Sequence, residues 1–396
     1  MAAMHGWLWA ALTVSACGTT GFEGEPRAAT PSGPTGAWTE LPWIGADPRV
    51  PFNGAALTAA RGATPAEDRL YLVVSDRLYV SADEGESWTQ RGEKLYFDAI
   101  AAHGPRLFAW STNQEAPLYE SQDGARTWSG RAVGTYHGDF AYDTGALRPP
   151  ELFRVLDDVA LMVQPTGDRV LRVRHGAIGR WQFANVTFGD PLAQALERAH
   201  EGRSPVFVSV ARVGVTHWGC TRQALFRSDD DGMNWRSVEG TPGEATSRGP
   251  CTLVDWHASA ALTPDPGPLC MVVGADRRRR LHCTRDGATW SEAGPGYFAD
   301  VPVTPAFEHR TSVGRVTGFA TDGTRYFLAH TGEDSYTAPS PGLYWTTDPL
   351  AVWQPEPLLA GKRVVAMAAT GRAIFALVEE PGPAGADRIR LFRWRP

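Results

Sequence analysis

One short pattern recurs along this chain and limits what it can fold into. It opens with an apolar pair, places a Ser or Thr two positions later, an Asp two residues after that, and a Trp seven after the Ser or Thr. Leu78-Tyr79-Val80-Ser81-Ala82-Asp83-Glu84-Gly85-Glu86-Ser87-Trp88 is the clearest copy. The same order returns around Ser121, Asp123 and Trp128, and around Ser228, Asp230 and Trp235. A copy one residue shorter holds Thr284, Asp286 and Trp290. Leu343 to Asp348 followed by Trp353 is degenerate but in register, and Leu171-Arg172-Val173-Arg174 followed by Trp181 keeps only the spacing. Leu391-Phe392-Arg393-Trp394 ends the series with no turn after it. An Asp side chain can accept backbone N–H groups inside a tight turn, and Gly tolerates the positive φ such turns need. The Trp then offers a large apolar face for packing between neighbouring sheets.

The pattern resembles the Asp-box, S-x-D-x-G-x-T-W, also called the BNR repeat, and the repeated set spans essentially residues 38–396. In that family the box is the hairpin turn joining the last two strands of a propeller blade, at the blade periphery. The copies begin at Leu78, Leu118, Leu171, Leu225, Leu281, Leu343 and Leu391, with steps of 40, 53, 54, 56, 62 and 48 residues. A four-stranded blade needs roughly 40–50 residues. The expectation is an all-β, seven-bladed β-propeller of four-stranded antiparallel blades; six or eight blades also fit, because the copy ending at Trp181 is the weakest. Further β runs precede several boxes, at Arg69–Val74, Arg106–Trp110 and Tyr326–His330. The last copy lacks a following strand, and Ala37-Trp38-Thr39-Glu40-Leu41 is expected to supply it beside Leu391–Trp394, tying the termini together and removing open edges. One segment departs from β patterning. Asp190 at an N-cap, Pro191 at N1, Gly202 past the end and Leu192, Ala195, Leu196 and Ala199 on one face predict a short inserted helix.

Composition narrows the class. With 42 Gly and 30 Pro a helical bundle is excluded, since these residues would interrupt helices every few positions. A hydrophobic content of 43% is enough for a core. A net charge of −6 without a long Lys/Arg run argues against a nucleic-acid partner. At the N-terminus, Gly6 to Ala16 is apolar but too short to span a bilayer. It leads into Val14-Ser15-Ala16-Cys17, which resembles the lipobox of bacterial lipoproteins; the n-region, Met1 to His5, departs from that pattern in having no Lys or Arg. The resemblance implies a signal peptide over 1–17, lipid on Cys17, and residence in the bacterial cell envelope, facing the periplasm or on the outer membrane, or secretion. Residues 18–37 read as a flexible Gly/Pro/Thr linker, and 38–396 as a single domain touching a membrane only through its anchor. Cys220, Cys251, Cys270 and Cys283 suggest two disulfides in an exported chain. Of three pairings, Cys270–Cys283 and Cys220–Cys251 are favoured. No CxxC pair or HExxH motif points to a metal.

Activity is less legible. The box residues read as structural, and Asp229-Asp230-Asp231 has too few spaced oxygens for a calcium loop of the EF type. The Asp-box family includes sialidases, which resemblance would require to carry three Arg, a Tyr–Glu nucleophile pair and an Asp acid. Pro48-Arg49-Val50-Pro51 sits where the first Arg motif is expected but lacks its aromatic, and the other groups have no match in context. No G-x-S-x-G, P-loop or G-x-G-x-x-G is present, so no cofactor is expected. Ligands of propellers usually bind the end where innermost strands start. Candidate ligand-binding residues near those predicted starts are Asp98, His137, Asp139, Asp255, His257, His309 and Arg310, with Tyr96, Tyr136 and Trp256 nearby; each also reads as an ordinary loop or core-edge residue. Arg277 to Arg280 reads as a solvated hairpin tip. The expectation is a monomeric, exported, non-catalytic propeller binding a glycan, peptide or protein, resembling the photosystem II assembly-factor type in blade count and address alone. The other reading is a sialidase-like or other Asp-box glycoside hydrolase acting on extracellular glycans.

Overall fold

The structure is a computed structural model. It describes residues 36–42, 55–60, 62, 64–74, 77–91, 97, 99–103, 106–110, 118–131, 152–156, 159–163, 170–174, 182–183, 187–188, 209–213, 215–220, 224–230, 232, 234–238, 252–254, 267–273, 280–293, 298–299, 316–331, 340–381 and 387–396. The signal region with Cys17, residues 18–35 of the linker, the helix expected over 190–202, Trp181 and Cys251 lie outside them.

Those residues form an all-β propeller of four-stranded antiparallel blades. The chain begins with β1 (Ala37–Glu40), and then builds one sheet after another. The first contains β2 (Ala55–Ala60), β3 (Arg69–Val74), β4 (Arg77–Ser81) and β5 (Thr89–Arg91), and the second β6 (Ala99–His103), β7 (Arg106–Trp110), β8 (Leu118–Ser121) and β9 (Ser129–Arg131). The third contains β10 (Leu152–Leu156), β11 (Val159–Val163), β12 (Val170–Arg174) and β13 (Gln182–Phe183). After β14 (Thr187–Phe188) come β15 (Ser209–Val213), β16 (Thr216–Cys220), β17 (Leu225–Ser228) and β18 (Asn234–Ser237). The fifth sheet contains β19 (Thr252–Val254), β20 (Leu269–Val273), β21 (Arg280–Thr284) and β22 (Ser291–Glu292). The sixth contains β23 (Val316–Thr321), β24 (Tyr326–His330), β25 (Gly342–Thr346) and β26 (Gln354–Pro355). The last contains β27 (Arg363–Ala369), β28 (Ile374–Pro381) and β29 (Asp387–Arg395), with β1 added beyond β29.

The first strands of successive sheets lie against one another, β27 by β2, β2 by β6, β6 by β10, β10 by β15 and β15 by β19, with β23 by β27. The buried side chains sit in the seams. One cluster joins Tyr71, Val73 and Leu78 of the first sheet to Ile100, Leu107 and Tyr119 of the second. Another joins Trp218 and Leu225 of the fourth to Leu253, Leu269 and Met271 of the fifth. Val254, Val272 and Leu281 meet Phe319, Leu328, Tyr344 and Trp353 between the fifth and sixth. Two further clusters bind the last sheet to the sixth and to the first. Strand alternation explains this: each sheet has two apolar faces, and only a sandwiched sheet buries both.

The N-terminal strand closes the last sheet beside β29, as expected. Trp38 pairs with Trp394 and Glu40 with Phe392, and the Leu41 N–H continues the ladder to the Leu391 carbonyl at 2.9 Å. Trp38 contacts the rings of Trp394 and Phe327, with centroids 5.9 and 5.8 Å away. The disulfide Cys270–Cys283 joins directly paired residues of β20 and β21. Cys220 is also disulfide-bonded. No helix of the described residues is long and apolar enough to cross a membrane.

One sheet departs from the four-stranded expectation. In the fourth, β14 adds parallel to β18, with Thr187 opposite Asn234 and Phe188 opposite Trp235. The sixth shows the same device as a single parallel bridge between Phe298 and Trp353. An outermost strand presents unpaired N–H and C=O groups, and here the incoming connector takes some of them up.

Candidate functional site

Because strands alternate in direction, the propeller has two unlike ends. One carries the hairpins between first and second strands and the turns between third and fourth. The other carries the second-to-third hairpins and the connectors between sheets. At the first of these, the turn end, the repeated Ser/Thr-x-Asp motif forms one arrangement four times. The Ser81 hydroxyl donates to Asp83 Oδ1 at 2.8 Å and accepts the Gly85 N–H at 2.8 Å. The Asp83 carboxylate accepts both the N–H and the hydroxyl of Ser87, at 2.9 and 2.5 Å. Ser121 and Asp123 repeat this with Ala125 and Thr127. Ser228 and Asp230 repeat it with Gly232 and Asn234, whose side-chain amide stands in for the hydroxyl. In the shortened copy, Thr284 Oγ1 donates to Asp286, whose carboxylate accepts the N–H groups of Ala288 and Thr289, both at 2.8 Å.

The Trp residues finish these turns. Trp88 and Trp235 donate their indole N–H to the carbonyls of Gly85 and Gly232, at 3.1 and 3.0 Å. Trp353 reaches the Pro349 carbonyl at 3.1 Å in the degenerate copy, and is fully buried. The left-handed backbone at Gly85, Gly124, Gly232 and Gly287 is what turns the chain (φ 86°, 71°, 77° and 72°).

Electrostatically these carboxylates are committed. The Thr127 hydroxyl and N–H, with Ser121 and Arg126, hold Asp123 at about 2. The Ala288 and Thr289 N–H groups hold Asp286 well below the carboxylate range. At Asp83, burial pushes upward, but the Ser87 and Ser81 hydrogen bonds outweigh it and the net shift is down. A carboxylate whose lone pairs are filled by its own turn serves poorly as an acid, base or metal ligand.

Other carboxylates at this end do similar work between sheets. Asp68, in the first hairpin of the first sheet, accepts the Gly62 N–H and, 303 positions away, the Gly371 N–H at 2.6 Å. Asp322 caps its own hairpin through the Thr324 and Arg325 N–H groups and accepts the Trp394 indole N–H at 3.3 Å. The Arg325 guanidinium lies between Trp345 and Trp394, 5.6 and 4.9 Å from their rings. Across the seam that closes the ring, Arg395 holds Glu84 at 2.7 Å and Arg393 holds Glu86 at 2.7 Å.

Sequence reasoning missed Asp68, Asp322 and Arg325. It also missed the aromatics of the connectors. Phe97 packs on the Trp128 ring at 4.8 Å, and Phe298 lies by Tyr344 at 4.9 Å. A signal for them exists in the chain: Phe97-Asp98, Phe188-Gly189-Asp190 and Phe298-Ala299-Asp300 each precede the first strand of a new sheet.

The ligand candidates Asp98, His137, Asp139, Asp255, His257, His309 and Arg310 lie outside the described residues, as do Tyr96, Tyr136, Trp256, Arg49, Asp231 and Arg277–Arg279. Their places in the chain follow from the flanking strands. Asp98 immediately precedes β6, His137 and Asp139 lie between β9 and β10, and His309 and Arg310 between β22 and β23, all in connectors. Asp255 and His257 fall in the chain between β19 and β20. Among the described residues no group of three His, Cys, Asp or Glu is placed to hold a metal ion.

No family model matches this chain, and no curated protein matches it. Solved structures do. YCF48 from Cyanidioschyzon merolae aligns at 15% identity with a TM-score of 0.57, covering 91% of this chain and 99% of that one. PorZ, described as a surface component of the type-IX secretion system of Porphyromonas gingivalis, aligns at 11% identity with a TM-score of 0.45, over 86% of this chain and 36% of that one. An ancestral GH74 enzyme aligns at 13% identity with a TM-score of 0.46, over 81% of this chain and 50% of its own. At these identities the likeness to YCF48 establishes the propeller fold and nothing finer.

Proposed function

We propose that this chain is an exported, lipid-anchored Asp-box propeller of seven blades, one per sheet, that binds a glycan, peptide or protein and does no chemistry of its own. One observation carries the non-catalytic part. The carboxylates that recur with the repeat are spent inside their turns, so the loudest acidic motif in the sequence is accounted for by architecture. The neighbouring order of first strands and the seam clusters support one closed ring. The Ser-x-Asp-x-Gly geometry with a Trp-to-carbonyl bond supports the Asp-box assignment, and Val14-Ser15-Ala16-Cys17 supports lipidation.

The test is a glycan array combined with a chromogenic-glycoside screen on protein lacking residues 1–17. Binding without turnover is the expected result. Turnover abolished by substituting a carboxylate would instead establish the glycoside-hydrolase reading. Export and lipidation are checked by the mass of the mature N-terminus, with Cys17→Ser expected to release the protein from membranes.

A further inference from the structure

We infer that the outer edge of the fourth sheet holds a site for a sulfate or phosphate group, formed by Arg227 and Arg236 clipped together by Asp229. This site does not depend on the proposed function and stands or falls apart from it.

Strands β17 and β18 bring the two arginines together. Arg227 and Arg236 are directly opposite in the register, and Trp218 of β16 is opposite Arg227 on its other side. Like charges directly opposite across two strands destabilise the pairing. Asp229 offsets this. Its Oδ1 accepts Arg227 Nη2 at 2.7 Å and the Thr216 hydroxyl at 2.9 Å. Its Oδ2 accepts Nη2 of Arg227 and of Arg236, at 2.8 and 2.6 Å. The Arg227 bonds, with Thr216 and the Arg236 charge, outweigh burial and hold the Asp229 carboxyl below the usual carboxylate range.

None of this is required by the turn. Asp230, not Asp229, closes it with Ser228 and Asn234. In the copies that hold Asp83, Asp123 and Asp286, the place of Asp229 is taken by Ala82, Gln122 and Arg285. The place of Arg236 is taken there by Thr89, Ser129 and Ser291, and no basic residue stands at the place of Arg227. A surface ion pair adds little to stability, so fastening alone does not explain two like charges set face to face.

Asp229 is saturated and the arginines are not. Two guanidinium charges meet one carboxylate, which leaves a positive charge over. The Nε and Nη1 groups of both arginines meet no acceptor among the described residues, and Arg227 Nε is buried as well. The Arg227 guanidinium lies 5.7 Å from the Trp218 ring centre, and its side chain is 32% exposed against 62% for Arg236. One fork is therefore held in place and the other is open to solvent. A fork positioned in advance loses little freedom on binding. A carboxylate has its oxygens in one plane and docks on one fork, whereas a sulfate or phosphate group has oxygens enough to meet both. Its higher charge also suits the surplus.

The test is an NMR titration of protein labelled with nitrogen-15 arginine at pH 7, with chloride adjusted to hold ionic strength constant. The Nε–H signals of Arg227 and Arg236 are assigned by their loss in Arg227→Gln and Arg236→Gln. Inorganic phosphate and sulfate are expected to shift both signals along saturating curves with a Kd on the order of 1 mM, and acetate to bind about fivefold more weakly. Arg236→Gln, at an exposed position, should abolish the saturating shift of Arg227. Arg285→Gln removes the same charge from the turn of the fifth sheet and should leave that shift unchanged. Glycerol 3-phosphate separates the sources: binding equal to inorganic phosphate supports a group carried on a larger molecule, and weaker binding supports the free ion. A linear response to every ion, or curves that Arg236→Gln does not alter, overturns the site. Acetate binding as tightly as phosphate overturns its assignment to sulfate or phosphate.

Discussion

Replacing Trp38 tests whether a four-residue strand truly fastens the ring. Trp38 is only 6% exposed and lies against Trp394, Phe327 and the cluster between the last two sheets. A buried Trp removes about 150–250 Å² from water, worth ~4–6 kcal/mol at ~25 cal/mol per Å². Residual burial in the unfolded chain lowers this to ~3–5 kcal/mol. Trp38 Nε1 is buried and meets no acceptor among the described residues. Losing that stranded donor returns ~1–3 kcal/mol, while the cavity left by the indole adds a further ~1–2 kcal/mol of cost, so Trp38→Ala should destabilise by about 2–4 kcal/mol. Trp38→Phe keeps a ring against Phe327 and removes the stranded N–H, so it should lose less than ~1.5 kcal/mol. Urea unfolding followed by circular dichroism measures both. If Trp38→Ala lies within ~0.5 kcal/mol of wild type, or Trp38→Phe falls as far as Trp38→Ala, then closure through β1 is not what holds the last sheet.

Three further outcomes follow from single positions. A Cβ at Gly287 would stand 2.6 Å from the Trp218 ring in a left-handed backbone (φ 72°), so Gly287→Ala should lower stability by about 2–4 kcal/mol, read as a fall in Tm by calorimetry. The Asp123 carboxyl is held at about 2 against an ordinary value near 3.9. Its stabilising effect is therefore complete above pH ~4 and lost as pH falls toward 2. Solvent screening at this exposed site keeps the effect below ~1 kcal/mol, and a pH series of urea midpoints should show it in wild type and not in Asp123→Asn. Glu356 moves the other way: burial raises it, Leu358 N–H and Arg325 opposing. Its folded form binds the proton more tightly, so stability from this group is present at low pH and lost as pH rises. Glu356→Gln should match or exceed wild-type stability at pH 7 and flatten that part of the pH profile.

What was legible in the chain was whatever the fold writes in consecutive residues. Ser81, Asp83, Gly85 and Trp88 bond to one another within eight positions, so the turn can be read without knowing its surroundings. Trp38 and Trp394 were legible for a different reason: the last copy lacked an outer strand, and the start of the domain held an apolar stretch without a partner. Relations between blades could not be read this way. Asp68 meets Gly371 across most of the chain, and nothing near either residue announces it. Arg325 between two indoles looks from sequence like any surface arginine in a hairpin. The connector aromatics Phe97 and Phe298 recur, but with a variable gap to the Asp that follows, and a short irregular motif is easily passed over beside the stronger Ser/Thr-x-Asp repeat.

The distribution of acidic groups also bears on how such a ring acquires function. A repeat that multiplies an Asp with every blade multiplies a turn, and each copy satisfies its own Asp through neighbouring N–H and O–H groups. Any residue that acts on a ligand must then come from segments the repeat does not dictate. The steps between copies vary from 40 to 62 residues while the box itself changes by one, so variation is concentrated outside the turns. In this ring the turn end is bound across its closing seam by Glu84, Glu86, Arg393 and Arg395. On the proposed binding function, specificity is left to the opposite end. Substituting Asp83 or Asp230 should accordingly weaken the fold, read as a lower urea midpoint, while leaving the set of glycans retained on an array unchanged. Loss of particular glycans from these variants under conditions where they remain folded would place the binding surface at the turn end and refute this division of labour.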